Sequence, residues 1–300
     1  MILPILMVVG MHLLLPAALL LSLWRGSVQS RTEWYVKLLA LAMFFIWIFF
    51  SGRWDWVGYP LRWVWPVLFL AAVFASWKKA RRLPAKTSLS GKQKWSIAVY
   101  AFLALIFGTY NLGVLTSHWP ADEALELSFP LRSGTYYVAH GGSQVQMNYH
   151  SAHPAQRYAL DIVRLNRLGT RAKGLYPKEL TRYEIFGDPV YSPCTGKVIE
   201  ARDDPPDLTP PKMDPENPEG NHVILTCDGD DALLLLAHLK RGSVSVKNGE
   251  KVKEGQRIGR VGNSGNTSEP HLHIHAERDG AGVPLRFGGR FPVRNDLVKN

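Results

Sequence analysis

The segment Asn266-Thr267-Ser268-Glu269-Pro270-His271-Leu272-His273-Ile274-His275 places a histidine at every second position. A strand alternates its side chains between two faces, so a strand here turns three imidazoles to one side, and imidazole is a strong zinc donor. Neighbouring members of such a trio lie about 7 Å apart at Cα and the outer two about 13 Å, so one or two rings can reach a single ion while the third cannot. A solvated histidine strand is the competing reading. Two residues elsewhere weigh against it, His238 and Asp161. Asp161 sits in the apolar run Tyr158-Ala159-Leu160-Asp161-Ile162-Val163, where a buried carboxylate is costly without a cation or hydrogen bonds. An arginine such as Arg157 or Arg164 is its plainer partner. Catalytic zinc takes three protein ligands and leaves a position for water, and histidine with carboxylate is a suitable set. Glu269 lies close in sequence, but no His-Glu-x-x-His helix aims it as a base. The glycines from Gly255 to Gly265 read as hairpin chemistry; no Gly-Lys-Ser/Thr follows, which removes a phosphate cradle.

These residues need a scaffold of strands. From about Leu127 onward short alternating or apolar runs are separated by turn residues, as in an all-β domain. The expected strands are Thr135–Ala139, Ala159–Arg164, Pro189–Tyr191, Gly196–Arg202, His222–Cys227, Ala232–Leu239, Arg257–Val261 and His271–Glu277, with one helical turn around Pro177–Tyr183. Two long insertions interrupt them: Asn166–Ile185, rich in Arg and Lys, and Asp203–Gly220, which holds six prolines. Loops of this length are functional rims or surface excursions. The only cysteines, Cys194 and Cys227, lie in strand-like runs of this half. A cross-strand disulfide and two separate buried thiols are both open, and the spacing does not suit a thiolate zinc site.

Upstream of Ser117 the chain is of another kind. Four apolar stretches, Ile2–Trp24, Trp34–Ser51, Pro60–Trp77 and Trp95–Leu115, are long enough to span a bilayer, which requires roughly 20 residues, with tryptophans at their edges. The first has no basic n-region and is too long for a signal peptide, so it reads as a retained helix. Lys78, Lys79, Arg81, Arg82, Lys86, Lys92 and Lys94 share one loop without an acid, which assigns that loop to the cytoplasm and the C-terminal half to the far side. The formal charge of +10 belongs to the apolar half. After Ser117, 23 Lys and Arg face 23 Asp and Glu, so a basic nucleic-acid surface is not indicated and no nucleic-acid partner is expected.

The ordered motifs Gly187-Asp188-Pro189-Val190-Tyr191-Ser192-Pro193, Gly220-Asn221-His222-Val223, Ala237-His238-Leu239, Val252-Lys253-Glu254-Gly255-Gln256-Arg257-Ile258-Gly259 and Pro270-His271-Leu272-His273 together resemble the lysostaphin/LytM-type zinc endopeptidases. The resemblance covers most of residues 130–280. It implies a compact antiparallel β domain with a groove, zinc as cofactor, and hydrolysis of peptide cross-links in bacterial peptidoglycan by a zinc-activated water. It also implies that Asp161 and His273 bind the metal while His238 and His271 act beside it; His275 lies outside the pattern. The chain departs from the family at one place. The family's first zinc histidine would fall on position 157, which is Arg157. Relatives with Gln-Arg-Tyr-Ala before the aspartate are similar in carrying an Asn-x-His upstream, which selects His150 as the third ligand over His153.

The expectation is therefore a multi-pass α-helical membrane region over residues 1–117, in contact with the lipid bilayer of the bacterial inner membrane. A mainly antiparallel β, LytM-like zinc metalloendopeptidase domain over 118–300 follows it on the periplasmic or extracytoplasmic side. Two other readings stand beside this one. Arg157 leaves open an inactive LytM-like module that regulates other wall enzymes. The apolar half would alternatively be a sensor or transporter, although its few charges, chiefly Lys37 and Arg62, lie near helix ends where they can snorkel.

Overall fold

The computed structural model describes residues 2–85 and 90–299, so Lys86 of the expected cytoplasmic loop lies outside the described residues. The chain divides between Leu115 and Thr116 into two compact units.

The first unit is helical. Helix α1 runs Ile2–Arg25, with a π-helical turn at Gly10–Leu14, and is followed by α2 (Arg31–Ser51), α3 (Leu61–Ala80) and α4 (Gly91–Thr116). The start of α2 is set by a reciprocal cap: Ser30 Oγ accepts from the Glu33 amide at 3.2 Å, and the Glu33 carboxylate accepts from the Gln29 amide at 2.9 Å. Leu20, Leu23, Leu41, Phe44, Phe45, Ile48, Trp54 and Ala72 form the unit's interior. Helices α1, α2 and α4 are long and apolar enough to cross a membrane. Helix α3, which overlaps the third expected span, Pro60–Trp77, is not among them; Arg62 in its first turn and Lys78 and Lys79 in its last dilute its apolar length.

Among the described residues the second unit is built of thirteen short strands. They are β1 (Leu125–Leu127), β2 (Thr135–His140), β3 (Leu160–Leu165), β4 (Pro189–Tyr191), β5 (Gly196–Arg202), β6 (Asn221–Cys227), β7 (Leu233–Leu239), β8 (Lys251–Val252), β9 (Arg257–Arg260), β10 (Leu272–Arg278), β11 (Ala281–Val283), β12 (Leu285–Phe287) and β13 (Leu297–Lys299). The main sheet is antiparallel throughout, in the order β13-β2-β3-β10-β7-β6-β5-β8, with β11 extending the far end of β10. Antiparallel β4–β9 and parallel β1–β12 pairs complete the unit. Leu160 and Ile162 of β3, Leu272, Ile274 and Ala276 of β10, Leu234 and Leu236 of β7 and Val223 and Leu225 of β6 all point into one buried core. Period-two alternation then commits Asp161, His273, His275 and Ala237 to the opposite face.

Eight of these strands match the expected ones within a residue or two at either end. The expected turn around Pro177–Tyr183 contains a short 3₁₀ helix, Leu180–Arg182. Cys194 and Cys227 form a disulfide across the start of β5 and the end of β6, with Cα atoms 5.7 Å apart.

Candidate active site

The site grows from the register of three strands. His273 on β10 stands directly opposite Asp161 on β3 and Ala237 on β7, so the small Ala237 leaves room beside the ring. His273 Nδ1 lies 3.0 Å from Asp161 Oδ1, and its Nε2 lies 2.9 Å from His275 Nδ1. His275, open in the sequence as an outer partner of the site or a solvated ring, is buried against His273, where it holds that ring's orientation.

His150 arrives from the 3₁₀ turn Tyr149–Ala152 between β2 and β3. Asn148, fully buried, builds that turn: its side-chain oxygen accepts from the His150 amide at 3.2 Å, while its amide donates to Gly142 O at 3.0 Å and Ala159 O at 2.9 Å. The ring consequently points at β3, where His150 Nε2 is 3.1 Å from both carboxylate oxygens of Asp161. Gln156 Oε1 lies 3.2 Å from His150 Nδ1, and Tyr149 Oη donates to Asp161 Oδ2 at 3.3 Å. His153 caps the same turn and is exposed. Arg157 turns away from the cluster, 3.7 Å from Asp122 and over the Tyr158 ring.

His238 reaches the site face only because the backbone breaks its alternation. Val223 pairs with Leu236 and Asn221 with Leu239, so β7 carries one extra residue against β6, and His238 occupies that bulge with φ of 60°. In regular alternation it would follow Leu234 and Leu236 into the core; the left-handed bulge turns it out toward His271 and His273, with ring centroids at 4.9 and 5.7 Å. Its Nδ1 donates to Ser264 O at 2.9 Å, and His271 Nδ1 donates to Glu269 O at 2.9 Å. A carbonyl only accepts, so in both rings Nδ1 carries hydrogen and Nε2 is presented to the site. His271 Nε2 is 3.4 Å from Asp161 Oδ1.

Electrostatics follow from this packing. Burial opposes a charge on Asp161, but His150 and His271 beside it, with their hydrogen bonds, prevail and hold its carboxyl well below the usual range. Burial also works against a charged His271, yet Asp161 and the Glu269 carbonyl raise it above the ordinary histidine value. His238 is pushed well below that value by burial and then by the His271 and His273 rings. Burial lowers His273 despite Asp161, and burial followed by His273 brings His275 down to about 3.

Two groups offer one ligand atom per residue within 4.8 Å of one another, His150–Asp161–His273 and His238–His271–His273. Ligand bonds of 2.0–2.1 Å place the atoms of a tetrahedral zinc site roughly 3.3 Å apart, close to the 3.0 and 3.1 Å separations around Asp161. The first group fits a zinc ion better, because it includes the one buried carboxylate, whose charge a cation would balance. A groove of about 390 Å³ opens beside it, bordered by Tyr149, His150, Gln156, Glu219, His238, Asn266 and His273. Pro218 and Glu219, at the end of the Pro-rich insertion, form one wall of it. Asp207 fastens that insertion by accepting from the Asn263 amide at 2.7 Å. Sequence reasoning missed Tyr149, Gln156 and the Ser264 carbonyl. The first two were legible only as neighbours of His150, and a backbone carbonyl has no sequence signal.

The class defined by these features is an antiparallel β domain with a buried imidazole and carboxylate cluster on one sheet face. Residues 182–284 match the model of Peptidase family M23; the match contains His238, His271 and His273 and begins after His150 and Asp161. Over 148 residues the chain is 32% identical to the peptidoglycan DD-endopeptidase ShyA of Vibrio cholerae serotype O1, a stretch of 46% of this chain and 31% of that protein. The chain thus spans about a third of the curated relative it matches. Among solved structures, the catalytic domain of lysostaphin from Staphylococcus simulans is similar at 26% identity, covering 35% of this chain and 75% of that one, with a TM-score of 0.24. A zinc-containing peptidase from Vibrio cholerae is similar at 22% identity, covering 42% of this chain and 48% of that one, with a TM-score of 0.26.

Proposed function

We propose that this protein is a membrane-anchored zinc endopeptidase that hydrolyses peptide cross-links of peptidoglycan on the extracytoplasmic side of a bacterial inner membrane. The observation that carries this reading is the convergence of His150 and His273 on the buried Asp161, with His271 beside them and His238 at the wall of an open groove. His150, Asp161 and His273 would hold the ion. When bound, zinc supplies a Lewis acid that polarises a peptide carbonyl and makes water acidic enough to attack at neutral pH.

The chain's own residues do the rest. His238 and His271 each have Nδ1 committed to a backbone carbonyl, so each directs Nε2 at the reacting groups, where it can hold a proton or give it to the leaving amine. His238, held neutral by burial, is suited to accept a hydrogen bond or proton; His271, raised by Asp161, is suited to donate to a developing oxyanion. Gln156 and His275 orient the two ligating rings, and Tyr149 the carboxylate. The apolar helices serve as the anchor, and the substrate is proposed from the activity of the Vibrio cholerae relative together with the similarity to Peptidase family M23.

The test uses the full chain purified in detergent. Wild type is expected to hold one zinc per chain and to release fragments from cross-linked muropeptides. His273→Ala and His150→Ala should each lose both properties, while the exposed His153→Ala should keep them. A folded His273→Ala chain that still hydrolyses muropeptides would refute the assignment.

A further inference from the structure

The Arg- and Lys-rich insertion between β3 and β4 reaches across the domain to the turn that carries His271. Arg171 is 1% exposed; its Nε donates to Glu269 Oε2 at 2.8 Å, and its Nη2 lies 2.6 Å from the same oxygen. Nη2 also donates to Leu175 O at 3.0 Å, which wraps the insertion around the guanidinium. A second tie lies beside the first, since Tyr176 Oη donates to Ser268 O at 3.1 Å. Two consecutive residues of the turn, Ser268 and Glu269, are thus gripped from the insertion.

The grip is one residue from the chemistry. The Glu269 carbonyl accepts from Thr267 Oγ1 at 2.8 Å and from His271 Nδ1 at 2.9 Å, so the placement of residue 269 decides how the His271 ring is held. We propose that Arg171 is a positioning residue: through its buried pair with Glu269 it fixes the carbonyl that orients His271, making the insertion a brace for the site. This rests on the reading of His271 as a group acting beside the metal. A buried ion pair is a poor device for stability alone, because apolar side chains of similar volume commonly serve as well; fixing one geometry is a use consistent with this pair's position.

The experiment compares Arg171→Lys and Glu269→Gln with wild type, full chain in detergent, by zinc content, muropeptide kinetics and NMR of 15N-histidine-labelled metal-free protein. Lysine keeps the charge but loses the planar fork, and glutamine keeps the shape but loses the charge. The brace predicts zinc unchanged, KM within about twofold, kcat down about 10- to 100-fold for a ring displaced by a fraction of an ångström to an ångström, and faster exchange of the His271 Nδ1 proton. Folded variants with wild-type kcat and an equally protected Nδ1 proton would overturn it. Should Arg171→Lys fail to fold, Glu269→Gln decides alone by the same readings. Should wild type take up no zinc and cleave nothing, the functional reading fails, while the Nδ1 proton still tests the brace.

Discussion

His238 is a non-glycine residue at φ of 60° in a bulge beside the site, a backbone position that costs stability and has a geometric return. It delivers a ring to the sheet face that alternation would have denied. Asparagine tolerates the left-handed region better than other residues, so His238→Asn separates the chemistry from the backbone. The expected result is a chain with unaltered zinc content and stability and kcat lower by about 10²- to 10⁴-fold, the usual yield of a general acid or base. His238→Val should in addition lose about 1–2 kcal/mol against urea, because a β-branched side chain is strained there. Loss of zinc from His238→Asn would instead select the His238–His271–His273 group as the metal site. At this scale the sequence was informative in a particular way. Asp161, His238 and His273 stood out by residue type, whereas the choice of His150 and the placing of His238 beside the metal came through family resemblance, since neither a 3₁₀ turn built on Asn148 nor a one-residue bulge leaves a periodic trace.

The elements around these residues are held by close backbone approaches that the sequence marks with glycine. Gly220, at φ of 59°, precedes β6, and a Cβ there would fall 2.3 Å from Ser264 O, the carbonyl that takes the Nδ1 proton of His238. Gly229, at φ of 85° in the turn between β6 and β7, has open space where its Cβ would go. Alanine at either position bears a left-handed penalty of about 1 kcal/mol, but only Gly220→Ala must also displace Ser264. It should therefore lower kcat by about tenfold or more, whereas Gly229→Ala should melt earlier and turn over normally; equal kcat losses in both would dissociate His238 from this contact. The longer strands were legible because β5, β6, β7 and β10 are each seven-residue runs of apolar or alternating character. Strands β1, β8, β11, β12 and β13 were not, because two or three residues carry no usable period and their pairing is decided by tertiary contact. The insertions were legible as insertions and opaque as braces, since the Arg171–Glu269 contact joins residues 98 apart.

For the whole molecule, the partition of charge and apolarity matters more than any one span. The unit from Thr116 onward encloses its own core, and three of the helices before it are long and apolar enough to cross a bilayer. The Cys194–Cys227 disulfide makes the side of the membrane testable without reference to activity. Disulfides persist outside the reducing cytoplasm and not within it. Cells quenched with acid and treated with a thiol reagent under denaturing conditions should yield full-length chain with both cysteines protected. A chain beginning after Ser117, with no apolar segment to direct export, should yield both cysteines modified. The reduced domain should also unfold more readily, by about 2–4 kcal/mol for a loop of this size, so the cytoplasmic form is expected to be less stable as well as misplaced. Reactive thiols in the full-length protein would put the β domain on the cytoplasmic side, away from peptidoglycan, and the function proposed above would then fail for want of access to its proposed substrate, however well His150, Asp161 and His273 converge.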